Sequence, residues 1–185
     1  MSANYRSSVC KNVNGLDIHF LEAGFEDPNN PLLVLLHGFP ELGFSWRYLI
    51  PSLAEQGFHV VAPDQRGFGK TTGWDNSYTG DLSSYSHKNL TKDIFDLVNA
   101  LGYETVECII GHDAGSAVAA WSSLIYPNMY KSVIMMSAPF TGTLEVPIIS
   151  NMSSEKNSSD IGKDLANLYR PRKHYRDYYR TIQAN

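Results

Sequence analysis

Short apolar runs alternate with segments of helical spacing between residues 32 and 137, and this alternation constrains the fold more than any other feature. The run Leu32–Leu36 is uninterrupted and lies between a proline and a His-Gly pair, which is typical of a strand buried on both faces. Similar runs occupy residues 59–62, 106–110 and 131–137, with helical spacing at 46–55, 90–101 and 114–126. Together with an alternating, antiparallel strand at 16–21, this order predicts an α/β fold with a mostly parallel sheet and helices on both faces.

Composition and charge exclude several classes of protein. The chain carries 15 basic and 19 acidic side chains, a net charge of −4, which argues against a protein that coats nucleic acid. No run approaches the roughly 18 apolar residues of a membrane span, and the N-terminus lacks a signal-peptide pattern. We therefore expect a cytoplasmic protein without nucleic-acid or membrane partners. Two cysteines, Cys10 and Cys108, are too few for a disulfide scaffold.

The character of the sequence changes after residue 140. Residues 141–160 are rich in Ser, Asn, Thr and Gly, and residues 163–180 have helical spacing with six basic and two acidic side chains. We predict a core domain at 1–140, followed by a linker and a helical segment at 141–185. The basic segment could contact phosphates, but a solvated cationic face whose tyrosines pack on a neighbouring domain is the favoured interpretation.

The strongest functional signal lies at residues 109–116, where a predicted strand runs directly into a predicted helix. Gly111 and Gly115 flank Asp113 in this turn and would let strand and helix approach closely. Asp113 could be a nucleophile held at the sheet edge, or an ordinary N-cap of the helix, and this segment alone leaves both open. Ser116 is not a nucleophile candidate, because Ala114 and Val118 stand where a Gly-x-Ser-x-Gly turn needs glycine.

Two further motifs follow predicted strands. His37-Gly38-Phe39-Pro40-Glu41 comes after the first buried strand, and a loop from Ala62 to Thr71 follows the next. His37 beside a tight glycine turn is more often a structural hydrogen-bonding residue than a general base. In the second loop, Asp64 and Arg66 are expected to shape the backbone. Its Gly-x-Gly-Lys-Thr run is not a phosphate-binding P-loop, because the residues required between the glycines are missing.

The three motifs, in this order and spacing, resemble the α/β-hydrolase family, in particular its epoxide hydrolase branch, over about two-thirds of the chain. The resemblance implies Asp113 as the nucleophile, with the backbone N–H groups of Phe39 and Ala114 as the oxyanion hole. Residues 168–179 are similar to the start of that branch's helical cap, where Tyr175 best fits the tyrosine that donates to the epoxide oxygen. A packing role for Tyr175 and its neighbouring tyrosines stays open. The implied substrate is a small apolar epoxide, with no cofactor and no metal.

The chain also departs from that family. Its only histidine after Asp113 is His174, inside the cap-like segment, so neither the expected general base nor its orienting carboxylate has a candidate. Ala114 stands where relatives commonly carry a bulky residue. We expect a chain truncated within the cap, with little turnover, and with self-association through an exposed strand at 133–136. The alternative is a catalytically incomplete fragment or a binding module. A haloalkane dehalogenase is disfavoured, because Phe39 and Ala114 offer no side-chain N–H to a halide.

Overall fold

The computed structural model describes residues 4–77, 79–80 and 82–138. This part of the chain contains six strands and three α-helices in the order β1 (Arg6–Val13), β2 (Leu16–Ala23), β3 (Leu32–Leu36), α1 (Leu49–Ala54), β4 (His59–Pro63), α2 (His87–Ala100), β5 (Val106–His112), α3 (Ala114–Ile125) and β6 (Val133–Met136). Short 3₁₀ helices at Gly43–Trp46 and Leu82–Tyr85 lie before α1 and α2. The predicted linker and helical segment, with Tyr175 and His174, lie outside the described residues.

The strands form one mixed sheet in the order β1-β2-β4-β3-β5-β6. The pairs β3–β4, β3–β5 and β5–β6 are parallel, whereas β2 is antiparallel to both β1 and β4. Because β3 lies between β4 and β5, the chain reverses its direction of travel across the sheet beside β3. Such a switch point opens a crevice at the carboxyl ends of the strands, where α/β proteins bind ligands. The predicted α/β fold class is confirmed.

The two faces of β3 supply two separate parts of the core. Leu32, Val34 and Leu36 pack into a cluster with residues of α2 and α3, while Leu33 and Leu35 pack on the opposite face with Trp46 and Ile50. Alternate residues of a strand point to opposite faces, so an uninterrupted apolar run requires cover on both. The sheet is therefore held between α1 on one side and α2 with α3 on the other.

The structure differs from the sequence analysis in two elements. The first strand, β1, was not expected, because most of its residues are exposed and its sequence has no apolar alternation. The helix predicted at 46–55 is divided into the 3₁₀ helix Gly43–Trp46 and the short helix α1. Helical spacing reports which residues are buried together, and both kinds of helix satisfy it over one or two turns.

Strand β6 forms one edge of the described sheet. It pairs with β5, and its four apolar residues are each 38–47% exposed: Val133, Ile134, Met135 and Met136. An apolar edge strand is a template for pairing with another strand. Self-association through β6 stays a prediction.

Among the described residues, no helix combines the length and the apolar character needed to cross a bilayer.

A buried ionic cluster joins the antiparallel part of the sheet. Glu22 of β2 is 2% exposed and accepts hydrogen bonds from Arg6 Nε at 2.8 Å, Ser8 Oγ at 2.5 Å and His59 Nε2 at 2.8 Å. Burial alone would raise the pKa of Glu22, but the hydrogen bonds from His59, Ser8 and Arg6 outweigh it and lower the pKa to about 2.

The lowered pKa of Glu22 predicts a specific dependence of stability on pH. Its contribution is full well above the unfolded-state pKa near 4.5 and is lost as the pH falls towards about 2. The Glu22→Gln variant has no charge to lose. We expect its deficit in unfolding free energy relative to the parent chain to shrink by about 2 kcal/mol between about pH 5 and pH 3. Urea unfolding followed by circular dichroism at both pH values measures this, and a constant deficit would contradict it.

Candidate active site

Asp113 lies in a strained turn between β5 and α3. Its backbone has φ 50° and ψ −117°, a region that residues other than glycine rarely adopt. Hydrogen bonds hold this conformation: the Asp113 N–H donates to Met136 O at 2.9 Å, and the Ser116 N–H donates to Asp113 O at 3.0 Å. Strained backbone of this kind persists only where its surroundings enforce it, and it occurs preferentially at functional sites. The turn presents Asp113 at the carboxyl end of β5.

Three glycines let the turn form. A Cβ atom at Gly111 would lie 2.2 Å from Gly115 O, and a Cβ atom at Gly115 would lie 2.4 Å from Leu36 O. At Gly38, in the loop after β3, a Cβ atom would lie 2.6 Å from Asp113 Cβ and 3.0 Å from Asp113 Oδ1. Real Cβ atoms do not approach other atoms this closely. Strand β5, helix α3 and the loop after β3 therefore meet only because these positions lack side chains.

The Asp113 carboxylate does not cap α3. Its side chain makes no hydrogen bond of the N-cap kind, and its φ of 50° differs from the extended backbone that N-cap residues adopt. Instead, Asp113 Oδ1 accepts a hydrogen bond from the Phe39 N–H at 3.0 Å, across 74 residues of sequence. The structure thus joins two of the site residues expected from sequence.

Ala114 is the first residue of α3 and follows Asp113 directly. The first N–H groups of a helix have no intrahelical acceptor, and they form the positive end of the helix dipole. This end favours negative charge on the neighbouring carboxylate. Tyr175, the fourth residue expected at the site, lies outside the described residues.

His37 has a structural role in this arrangement. It is fully buried, its Nε2 accepts the Gln65 N–H at 3.1 Å, and its Nδ1 donates to Gly38 O at 2.9 Å. Burial lowers the pKa of His37, although the hydrogen bond to Gly38 O and the charges of Asp64 and Glu41 act in the opposite direction. Both ring nitrogens are engaged in holding the two loops, as the sequence interpretation favoured.

Ser116 and Arg66 also hold backbone. Ser116 is buried, with Oγ 2.8 Å from Gly111 O and 2.9 Å from Met136 O, and it accepts the Met136 N–H at 3.1 Å. These bonds tie the turn to β6 and agree with the exclusion of Ser116 as a nucleophile. Arg66 makes a two-point contact with the buried Asp93, at 2.8 Å and 2.7 Å. The loop after β4 is thereby fixed against α2.

One polar pair beside the turn was not assigned a place by sequence reasoning. Glu41 Oε2 accepts a hydrogen bond from His112 Nδ1 at 2.9 Å, with both side chains about one-third exposed. Each residue belongs to a motif already recognised, because Glu41 ends the His-Gly-Phe-Pro-Glu segment and His112 precedes Asp113. Both motifs follow strands that are neighbours in the sheet, and this adjacency is the signal from which the Glu41–His112 contact could have been predicted.

A cavity of about 210 Å³ lies beside the turn. Gly38 and Ala114, which are both neighbours of Asp113, line it, and Phe68, Tyr85 and Leu90 contribute to its predominantly apolar wall. Ala114 leaves space here that a bulkier side chain would fill. Such a cavity suits an apolar group of a small ligand. Within the described part of the chain, no group of three His, Cys, Asp or Glu side chains is arranged to hold a metal ion.

Comparison with known proteins shows the family of this chain. The alpha/beta hydrolase fold family matches residues 31–167. Epoxide hydrolase B of Mycobacterium tuberculosis is 34% identical over 168 residues, which are 91% of this chain and 45% of that protein. Bifunctional epoxide hydrolase 2 of Sus scrofa is 38% identical over 126 residues, 68% of this chain and 21% of that protein.

Solved structures show the same similarity. The crystal structure of epoxide hydrolase A from Mycobacterium thermoresistibile has a TM-score of 0.65 at 38% identity, covering 73% of this chain and 40% of that one. An epoxide hydrolase from Vigna radiata gives 0.68 at 33% identity, covering 79% and 45%. The chain spans less than half the length of these relatives. The chain belongs to the α/β-hydrolase fold family and is similar, in sequence and in fold, to the epoxide hydrolases within it.

Proposed function

We propose that this chain carries the nucleophilic half of an epoxide-hydrolase-like active site and that Asp113 opens an epoxide by forming an ester. The observation that carries the proposal is the hydrogen bond from the Phe39 N–H to Asp113 Oδ1. Asp113 accepts this bond from a strained backbone conformation at the sheet edge. The similarity to epoxide hydrolases supports the choice of substrate class. Epoxide hydrolase activity is the function that this geometry fits best.

The first step uses the two carboxylate oxygens differently. In this proposal Oδ1, which accepts the Phe39 N–H, becomes the carbonyl oxygen of the ester, and Oδ2 attacks an epoxide carbon. A bond forms between Oδ2 and that carbon, the carbon–oxygen bond of the ring breaks, and the alkoxide takes a proton from an acid. Aspartate is ordinarily ionised at neutral pH and needs no general base for this step. Resemblance assigns the acid to Tyr175.

The second step explains why the Phe39 amide matters. The ester carbonyl belongs to Asp113 itself, so the carbonyl oxygen is Oδ1. When water attacks this carbonyl, negative charge develops on an oxygen that already accepts the Phe39 N–H, with the Ala114 N–H as the second proposed donor. Removal of one such donor typically costs roughly 2.7 to 4 kcal/mol of transition-state stabilisation. The pair thus acts as an oxyanion hole.

Hydrolysis of the ester also requires a base to activate water. In the family that this chain resembles, the base is a histidine that follows the nucleophile in the sequence. The only histidine after Asp113 is His174, which belongs to the cap-like segment, so no residue is assigned as the base. We therefore expect the 185-residue chain to form the ester faster than it hydrolyses it.

The apolar cavity beside Ala114 supports a small apolar epoxide as substrate. A cytoplasmic location and self-association through β6 accompany the proposal as expectations.

The proposal predicts a covalent adduct at Asp113. After incubation with styrene oxide, intact-mass spectrometry should show one added substrate mass, and peptide mapping should place it on Asp113. Asp113→Asn should abolish the adduct, because an amide is a poor nucleophile. Glu26→Gln, which removes an exposed carboxylate from the loop after β2, should leave it unchanged. If a folded chain forms neither the adduct nor the diol, the proposal is contradicted and a binding module is favoured.

The close approach at Gly38 predicts a second pair of variants. Gly38→Ala places a methyl group 2.6 Å from Asp113 Cβ and 3.0 Å from Asp113 Oδ1, so the carboxylate must shift, and we expect adduct formation to slow by about 100-fold. Phe39→Ala keeps the backbone N–H that contacts Asp113 and should slow it by only a few-fold. Time courses of the adduct, with thermal unfolding to verify folding, measure both. Equal rates in the two variants would show that the Gly38 contact does not position Asp113.

A further inference from the structure

Three side chains outside the Asp113 site form a continuous hydrogen-bonded chain. Ser7 Oγ lies 2.7 Å from His19 Nε2, and His19 Nδ1 lies 2.8 Å from Asp64 Oδ2. The order is hydroxyl, imidazole, carboxylate, with the two ring nitrogens facing opposite partners. Such a constellation is recognised by its geometry and not by the order of its residues in the sequence. Neither the sequence analysis nor the proposed epoxide chemistry gives it a function.

The carboxylate of Asp64 is firmly oriented. Its Oδ1 accepts the Gly43 N–H at 2.9 Å, and its Oδ2 accepts the Lys70 N–H at 2.9 Å beside His19. A Cβ atom at Gly69 would lie 2.1 Å from Oδ2, so only glycine at that position lets the loop close around the carboxylate. Asp64 is 4% exposed. With both oxygens acting as acceptors, Asp64 favours the tautomer of His19 that carries its proton on Nδ1.

That tautomer leaves His19 Nε2 as a lone pair facing the Ser7 hydroxyl. His19 is 6% exposed, and its backbone N–H and C=O are bonded to Thr71 Oγ1 and to the Asp64 N–H. The ring is therefore fixed, and its basic nitrogen is directed at one hydroxyl. A nucleophile, a base within hydrogen-bond reach and a third group that orients the base are the parts of an activated serine.

Ser7, the reacting end of this hydrogen-bonded series, is accessible. Ser7 lies in β1 and is exposed, whereas its two partners are buried. Asp64 follows β4 at the carboxyl end of the parallel strands, the edge at which Asp113 follows β5. Ser7 belongs to β1, at the opposite edge of the sheet from β6, and its exposure lets a small electrophile approach the hydroxyl from solvent.

We propose that Ser7 is a second nucleophile of this chain, activated by His19 as general base with Asp64 as positioning residue, and that it is acylated by activated esters. Ser7 Oγ attacks the ester carbonyl carbon, and its proton moves to His19 Nε2. The bond from the carbonyl carbon to the leaving alcohol or phenol breaks, and that group departs with the proton. The product is an acyl ester of Ser7. The site is independent of Asp113 and of the proposed epoxide chemistry.

The test is the rate of acetylation by p-nitrophenyl acetate, followed residue by residue by peptide mass spectrometry. Ser52 is the internal reference, because it is also exposed but its Oγ donates a hydrogen bond to Tyr48 O and not to a histidine. General-base catalysis contributes at least about 100-fold, so Ser7 should react at least that much faster than Ser52. Ser7→Ala should remove the fast phase of nitrophenol release. His19→Gln, which keeps hydrogen-bonding groups but loses the basic nitrogen, should lower the Ser7 rate to that of Ser52.

Asp113→Asn serves as the second control, and Ser7 should react in it at an unchanged rate. Equal rates at Ser7 and Ser52 in the unaltered chain would overturn the proposal, and this comparison does not depend on any variant folding. An unchanged Ser7 rate in a folded His19→Gln variant would overturn it as well, by showing that the imidazole only supports structure. Loss of fast acetylation in Asp113→Asn would assign the reaction to the Asp113 site instead.

Discussion

The hydrogen bond between the Phe39 N–H and Asp113 Oδ1 is the contact on which the candidate active site depends. It joins the loops that follow two adjacent parallel strands, β3 and β5. Without Gly38, Gly111 and Gly115, the two loops and helix α3 could not come this close. The chemistry proposed for Asp113 therefore begins with the absence of side chains at three positions.

The strained turn at Asp113 has an energetic cost that its neighbours offset. A non-glycine residue in sparsely populated backbone costs on the order of 1–3 kcal/mol. Each hydrogen bond contributes about 1 kcal/mol net, and the turn has bonds from Asp113 to Met136 O, from Ser116 to Asp113 O and through Ser116 Oγ to β6. Strand β6 thus takes part in shaping the site, although none of its side chains is assigned a chemical role.

Sequence patterns predicted those parts of the molecule that local burial determines. Strand β3 is an uninterrupted apolar run, helix α3 has apolar residues at helical spacing, and the glycine spacing around Asp113 correctly indicated the turn. Strand β1 was missed because an exposed edge strand leaves no apolar alternation. The contacts from Phe39 to Asp113 and from His19 to Asp64 join residues 74 and 45 positions apart, and no local pattern encodes such distances. The first was anticipated through resemblance to a family, whereas the second emerged from the fold alone.

The most direct test of the account is a crystal structure of this chain after reaction with a small epoxide. The account predicts an ester bond at Asp113 Oδ2, with Oδ1 still accepting the Phe39 N–H at about 3 Å, as hydrogen-bond geometry requires. It also predicts that the backbone of Asp113 keeps its positive φ. An ester formed through Oδ1, or an unmodified Asp113 whose carboxylate caps α3, would contradict the account.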